Sequence, residues 1–118
     1  MSKELQNRTK LFSLSIIDLV EKMDYSISKK AVMNQLVRSA TSVGANYRAS
    51  NRARSDKEFI AKMNIVLEEA DECCFWLEII DEKKWAQVEN LLKEANELTA
   101  IFVTILKKMN QKLKSSNF

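Results

Sequence analysis

Apolar residues recur along this chain at steps of three and four with polar residues between them, the spacing that lines one side of an α-helix. The most regular run is Phe59, Met63, Val66, Ala70, Cys73, Leu77 and Ile80. Its alternating steps of four and three make a seam that packs against other helices. Ser55-Asp56-Lys57-Glu58 stands just ahead of it. There the serine hydroxyl can accept from the Glu58 amide while the glutamate reaches back, a capping box that marks where the helix starts.

Three further segments keep the same spacing. From about Ser28 to about Arg52, Val32, Met33, Leu36, Ala40, Val43 and Tyr47 share one side, interrupted only by Gly44. Glycine costs a helix about 1 kcal/mol relative to alanine, so its presence there predicts the close approach of another helix. Near residues 3–24, Leu5, Phe12, Ile16, Leu19 and Met23 align. In the last segment Val88, Leu91, Ala95, Leu98, Phe102, Ile105, Met109 and Leu113 form a long stripe, with Asp81 as its expected cap and Ile80 and Trp85 as a hydrophobic staple. The breaks between segments are short, and short connections imply antiparallel neighbours. The expected fold is all-α, an antiparallel up-down-up-down four-helix bundle, with residues 1–114 as one domain and 115–118 as a frayed tail.

Composition agrees with this reading. The chain has 118 residues, 46% of them hydrophobic, with one glycine and no proline, which leaves little of the punctuation that sheets and long loops need. No apolar run approaches the roughly 18 residues of a membrane span, and Met1-Ser2-Lys3-Glu4 leads into a charged segment, so a cytoplasmic protein without membrane contact is expected. There is no histidine, and the two cysteines, Cys73 and Cys74, are adjacent. The common zinc constellations and a long-range disulfide are therefore not expected, nor is any other metal or cofactor.

Charge changes the picture more. The net charge is only +3, yet residues 29–54 carry Lys29, Lys30, Arg38, Arg48, Arg52 and Arg54 against no acid, and residues 55–82 carry nine carboxylates against two lysines. Arg38, Thr41, Ala45, Arg48 and Arg52 follow helical spacing along a line about 120° from the apolar side. With no carboxylate among them they form a candidate anion-binding strip. The acidic segment that follows offers the competing outcome, pairing of these arginines with carboxylates of the third helix.

Catalysis finds little to work with. The acids concentrate at Glu68, Glu69, Asp71 and Glu72, but no Glu-x-x-His partner accompanies them, so no di-iron bundle site is expected. Cys73 falls on the core stripe and Cys74 has no adjacent base. The chain is not expected to be an enzyme. Leu11, Leu14, Ile17, Val37, Ile65, Phe75, Trp76 and Ile79 lie off or beside the main stripes. Phe75, Trp76 and Ile79 together predict a subunit contact, because aromatic residues concentrate at such interfaces.

One stretch is recognisable as a whole. Gln35-Leu36-Val37-Arg38-Ser39-Ala40-Thr41-Ser42-Val43-Gly44-Ala45-Asn46-Tyr47-Arg48, then Arg52-Ala53-Arg54-Ser55 and Glu58-Phe59-Ile60-Ala61-Lys62, run on through Glu68-Glu69-Ala70-Asp71-Glu72 to Phe75-Trp76-Leu77-Glu78. This resembles the bacterial 23S rRNA-intervening-sequence proteins. The resemblance implies a four-helix bundle that forms a homopentamer, and a kinship in fold with accessory proteins of diversity-generating retroelements, which bind nucleic acid and reverse transcriptase. It would make Arg38, Arg48, Arg52, Arg54 and Lys62 the nucleic-acid-binding residues and give Asn46 a conformational or interhelical hydrogen bond. Ala49 stands where many relatives have glutamate, which makes this helix more basic than theirs. Two functions follow as expectations: an oligomer that binds RNA or DNA through basic faces, or an assembly scaffold whose basic and acidic faces pair between subunits and whose partner is another protein.

Overall fold

Four helices appear where the spacing predicts them. The computed structural model describes residues 2–116, as α1 (Ser2–Glu21), α2 (Ile27–Ser50), α3 (Asp56–Glu82) and α4 (Glu89–Ser116). Ser26 caps α2 by accepting from the Lys29 amide, and Ser55 caps α3 by accepting from the Glu58 amide at 3.1 Å. The returning arm of the box is displaced by one residue: the Glu58 carboxylate accepts from the amide of Arg54 at 3.4 Å.

The start of α4 corrects an expectation. Asp81 does not cap it, because α3 continues to Glu82 and α4 begins at Glu89. Ile80 and Trp85 act instead at the end of α3. The Trp85 amide donates to the Ile80 carbonyl and the Lys84 amide to the Asp81 carbonyl, each at 3.0 Å. This is the paired hydrogen bonding of a Schellman ending. It requires a left-handed residue, and Lys84 occupies that position with φ 59°. Val88, buried ahead of α4, accepts from the Leu92 amide and opens the new helix. At the other terminus α4 takes in Ser115 and Ser116, expected in the tail, while Asn117 and Phe118 lie outside the described residues.

The core holds most of the predicted stripes, but Phe59, Leu91 and Ile105 are only partly buried and Leu106, next to Ile105, is buried on α4. Ile16, Leu36, Met63, Leu77, Ile80, Leu98 and Phe102 are completely or almost completely buried, and the Tyr47 and Phe102 rings lie 6.0 Å apart. Burying each such side chain contributes about 1.5–3 kcal/mol relative to leaving it in water. Thr9, Ser13 and Ser39 are also buried, at positions an apolar pattern cannot register. Each hydroxyl donates to a backbone carbonyl, and Ser13 reaches across to Ala40 on α2 at 2.8 Å.

The seams differ. The α2–α3 seam is sealed, with Cys73 Sγ donating to Ser39 Oγ at 3.4 Å. On the α1–α2 seam Gly44 lets the helices close: a Cβ there would stand 3.1 Å from Ser13 Oγ. The α1–α4 seam is the most sparsely packed of the four. Arg8 clamps it through two hydrogen bonds to Glu94, 2.7 and 2.6 Å, beside an apolar groove that includes Leu5, Phe59, Ile101 and Ile105. The result is a rod of 55 × 22 × 22 Å. Antiparallel order brings the start of α1, the end of α2, the start of α3 and the end of α4 to one tip, where Gln6 meets Asn51 at 3.1 Å and Asp56 meets Lys112 at 3.4 Å.

Candidate nucleic-acid interface

Helix α2 carries the basic residues singled out by the sequence, and the bundle separates them. Arg38, near the middle of the rod, turns toward α3, where its guanidinium pairs with Glu69 at 3.0 Å and with Glu72. Gln35 accepts from its Nε at 3.0 Å. The hydrogen bond to Glu72 in particular raises the pKa of Arg38 further above its ordinary value, with burial acting in the opposite direction. Such a guanidinium has its countercharge in place.

Arg48 and Arg52 have no ion pair within 4.0 Å among the described residues, and neither does Lys62 on α3. Arg54 stands almost fully exposed in the α2–α3 turn, with its Nε 4.0 Å from Glu58, a separation that contributes little in water. These four share one end of the rod. Arg38 does not belong with them.

The same end gathers cations that the linear sequence leaves scattered. Residues 2–11, 42–67 and 103–116 hold twelve Lys and Arg against three carboxylates, while the rest of the chain holds seven against thirteen. The additions are Lys3, Arg8 and Lys10 from α1, Lys57 from α3, and Lys107, Lys108, Lys112 and Lys114 from α4. Arg8 is occupied by Glu94 and Lys112 by Asp56; the others widen the basic surface. No segment-by-segment charge count could reveal this, because the concentration arises from antiparallel packing.

The remaining candidates take ordinary positions. Asn46 donates within α2, to the carbonyl and hydroxyl of Ser42 at 3.0 and 2.9 Å. Phe75 is 54% exposed and packs edge-on to Trp76 with 4.9 Å between ring centres. Trp76 and Ile79 are half-buried against the core of their own chain, and the Trp76 Nε1 donor is buried without a hydrogen-bond partner among the described residues. Burial pushes the Cys73 thiol up to about 12 and raises Cys74 as well, the opposite of what a nucleophilic cysteine needs. Glu69 and Glu72 serve Arg38, and no group of three or more Cys, Asp or Glu placed to hold a metal ion occurs among the described residues.

Residues 2–107 match the family of 23S rRNA-intervening sequence proteins. The chain belongs to that family. A solved structure supports the fold: a protein of unknown function from the S23 ribosomal protein family of Bacteroides thetaiotaomicron superposes with a TM-score of 0.78. It is 28% identical, and the match covers 86% of this chain and 97% of that one. No curated protein matches this intervening-sequence protein significantly.

Proposed function

We propose that this member of the intervening-sequence family is a non-catalytic, homo-oligomeric protein that binds RNA or DNA through the basic end of its rod. The observation that carries the reading is the asymmetry of charge along the bundle, twelve cations against three carboxylates at one end and the reverse sign at the other. A phosphate backbone is attracted to a continuous basic surface and releases counterions on binding, which makes affinity fall with salt. Exposed aromatic side chains are absent from the described part of this end, so contacts to phosphates rather than to base faces would dominate and sequence preference would be weak. Arg48, Arg52, Arg54 and Lys62 belong to this surface, and Arg38 is replaced by Lys10, Lys57, Lys107 and Lys108.

Exposed Leu11, Leu14, Ile65 and Phe75 support self-association, with the pentamer and the kinship to retroelement accessory proteins as what the family resemblance adds. The scaffold alternative draws less support, since Arg38, Glu69 and Glu72 satisfy one another inside a single chain. Fluorescence anisotropy of labelled single-stranded RNA and DNA, followed through a salt series with light scattering alongside, tests the proposal. The expected result is sequence-tolerant binding by an oligomer, with log K falling against log salt by about 0.7 per phosphate contacted. An oligomer that binds neither strand at low salt would favour the scaffold.

A further inference from the structure

On the side of the basic end, α1 and α2 enclose a cavity of about 350 Å³ lined by Gln6, Asn7, Lys10, Ser13, Thr41, Gly44, Ala45 and Arg48. We propose that this cleft is a phosphoryl-binding notch, in which Lys10 and Arg48 hold one phosphate group above Gly44 and Ala45.

Shape comes first. Gly44 has no side chain and Ala45 only a methyl group, so the backbone of α2 forms a shallow floor. A Cβ at position 44 would meet Ser13 Oγ at 3.1 Å and the Thr9 carbonyl oxygen at 3.6 Å. Glycine at position 44 thus lets α1 close against α2 at the base of the cleft.

Charge comes second. Lys10 and Arg48 line the cleft, no carboxylate does, and neither cation has an ion pair within 4.0 Å among the described residues. Two cations facing one concavity repel each other, and an anion between them removes that repulsion while gaining two charge-assisted contacts. The planar fork of Arg48 suits two oxygens of a phosphoryl group, and Lys10 supplies a point charge beside it.

Hydrogen bonding comes third. The Ser13 and Thr41 hydroxyls donate to backbone carbonyls, Ala40 at 2.8 Å and Val37 at 2.7 Å, and are not the donors an anion would use. Gln6 accepts from Asn51 through Oε1 at 3.1 Å, which leaves its amide NH2 available as a donor. The Asn7 amide lies in the same lining.

The notch depends on the nucleic-acid reading only for the source of the phosphate, which is either a strand lying over the basic end or a free phosphorylated molecule. Amide NMR titration with inorganic phosphate, and separately with a short oligonucleotide, distinguishes them. Phosphate is expected to shift the Thr41, Gly44, Ala45 and Arg48 amides saturably, at least tenfold more weakly in Lys10→Ala/Arg48→Ala and within twofold of the original in Lys22→Ala/Lys93→Ala, a control at the opposite end of the rod. An oligonucleotide that moves the same amides and displaces phosphate supports the strand as source. Phosphate saturation with no oligonucleotide binding supports the notch and removes the nucleic-acid function alone. An oligonucleotide held at the basic end while these amides respond to neither ligand overturns the notch alone, as do phosphate shifts that the double variant leaves unchanged.

Discussion

Arg38 and Arg48 lie about three turns apart on α2, on one strip whose spacing makes them equivalent. In the bundle they have opposite surroundings. Arg38 crosses the sealed α2–α3 seam to two carboxylates, whereas Arg48 lines an acid-free cleft against α1. The difference comes from the partner helix at each level: α3 presents Glu69 and Glu72 beside the middle of α2, and α1 presents Lys10 beside its end. A basic residue becomes available to an external anion only where no helix packed against it carries the countercharge.

The largest contrast between the two seams should be in stability. Leu36→Ala removes a fully buried side chain and should cost about 3 kcal/mol in denaturant unfolding, whereas Ala45→Ser, on the exposed floor of the cleft, should change stability by less than about 0.5 kcal/mol. Equal losses would mean that the cleft is packed as tightly as the core. Next in size is nucleic-acid affinity. Arg48→Ala should weaken oligonucleotide binding several-fold and lower the salt slope by about 0.7, while Arg38→Ala should leave binding within twofold.

A smaller effect should appear where Gly44 approaches Ser13. Gly44→Ala gains helix propensity but places a methyl group against a hydroxyl already fixed by Ala40, so it should be better tolerated when Ser13→Ala is also present, by about 1 kcal/mol in a double-mutant cycle. Additivity would show that the two helices relax freely. The smallest effect concerns the sealed seam and pH. Because burial raises the Cys73 pKa to about 12, the folded chain keeps a proton that the unfolded chain loses from about pH 8.5 upward. The contribution is complete below that pH and is lost as pH rises toward the folded value. Wild type should therefore lose more stability between pH 8.5 and 11 than Cys73→Ala, as followed by chemical denaturation at each pH.

The fold was legible because it depends on periodicity. Met63, Val66, Ala70, Cys73, Leu77 and Ile80 are all buried as their spacing predicts, and Ser55 caps where its box predicts. The α3–α4 junction was misread because Ile80 and Trp85 fit either a staple or a Schellman ending, and Lys84 replaces the glycine that would have signalled the latter. The basic end was legible only in part. Arg48, Arg52 and Arg54 stand together in sequence, but Lys10 and the α4 lysines join them through tertiary packing alone. Arg38 looked equivalent because helical spacing records which side of its own helix a residue occupies and says nothing of the neighbour that meets it.

We propose that nucleic acid lies on the basic end of the rod. Ultraviolet crosslinking of a uridine-rich oligonucleotide, with the attached peptides identified by mass spectrometry, tests it most directly. Crosslinks are expected within residues 3–10, 48–62 and 107–114, three segments far apart in sequence and adjacent in the bundle. Crosslinks concentrated in residues 18–24 or 78–97, at the acidic end, would contradict it.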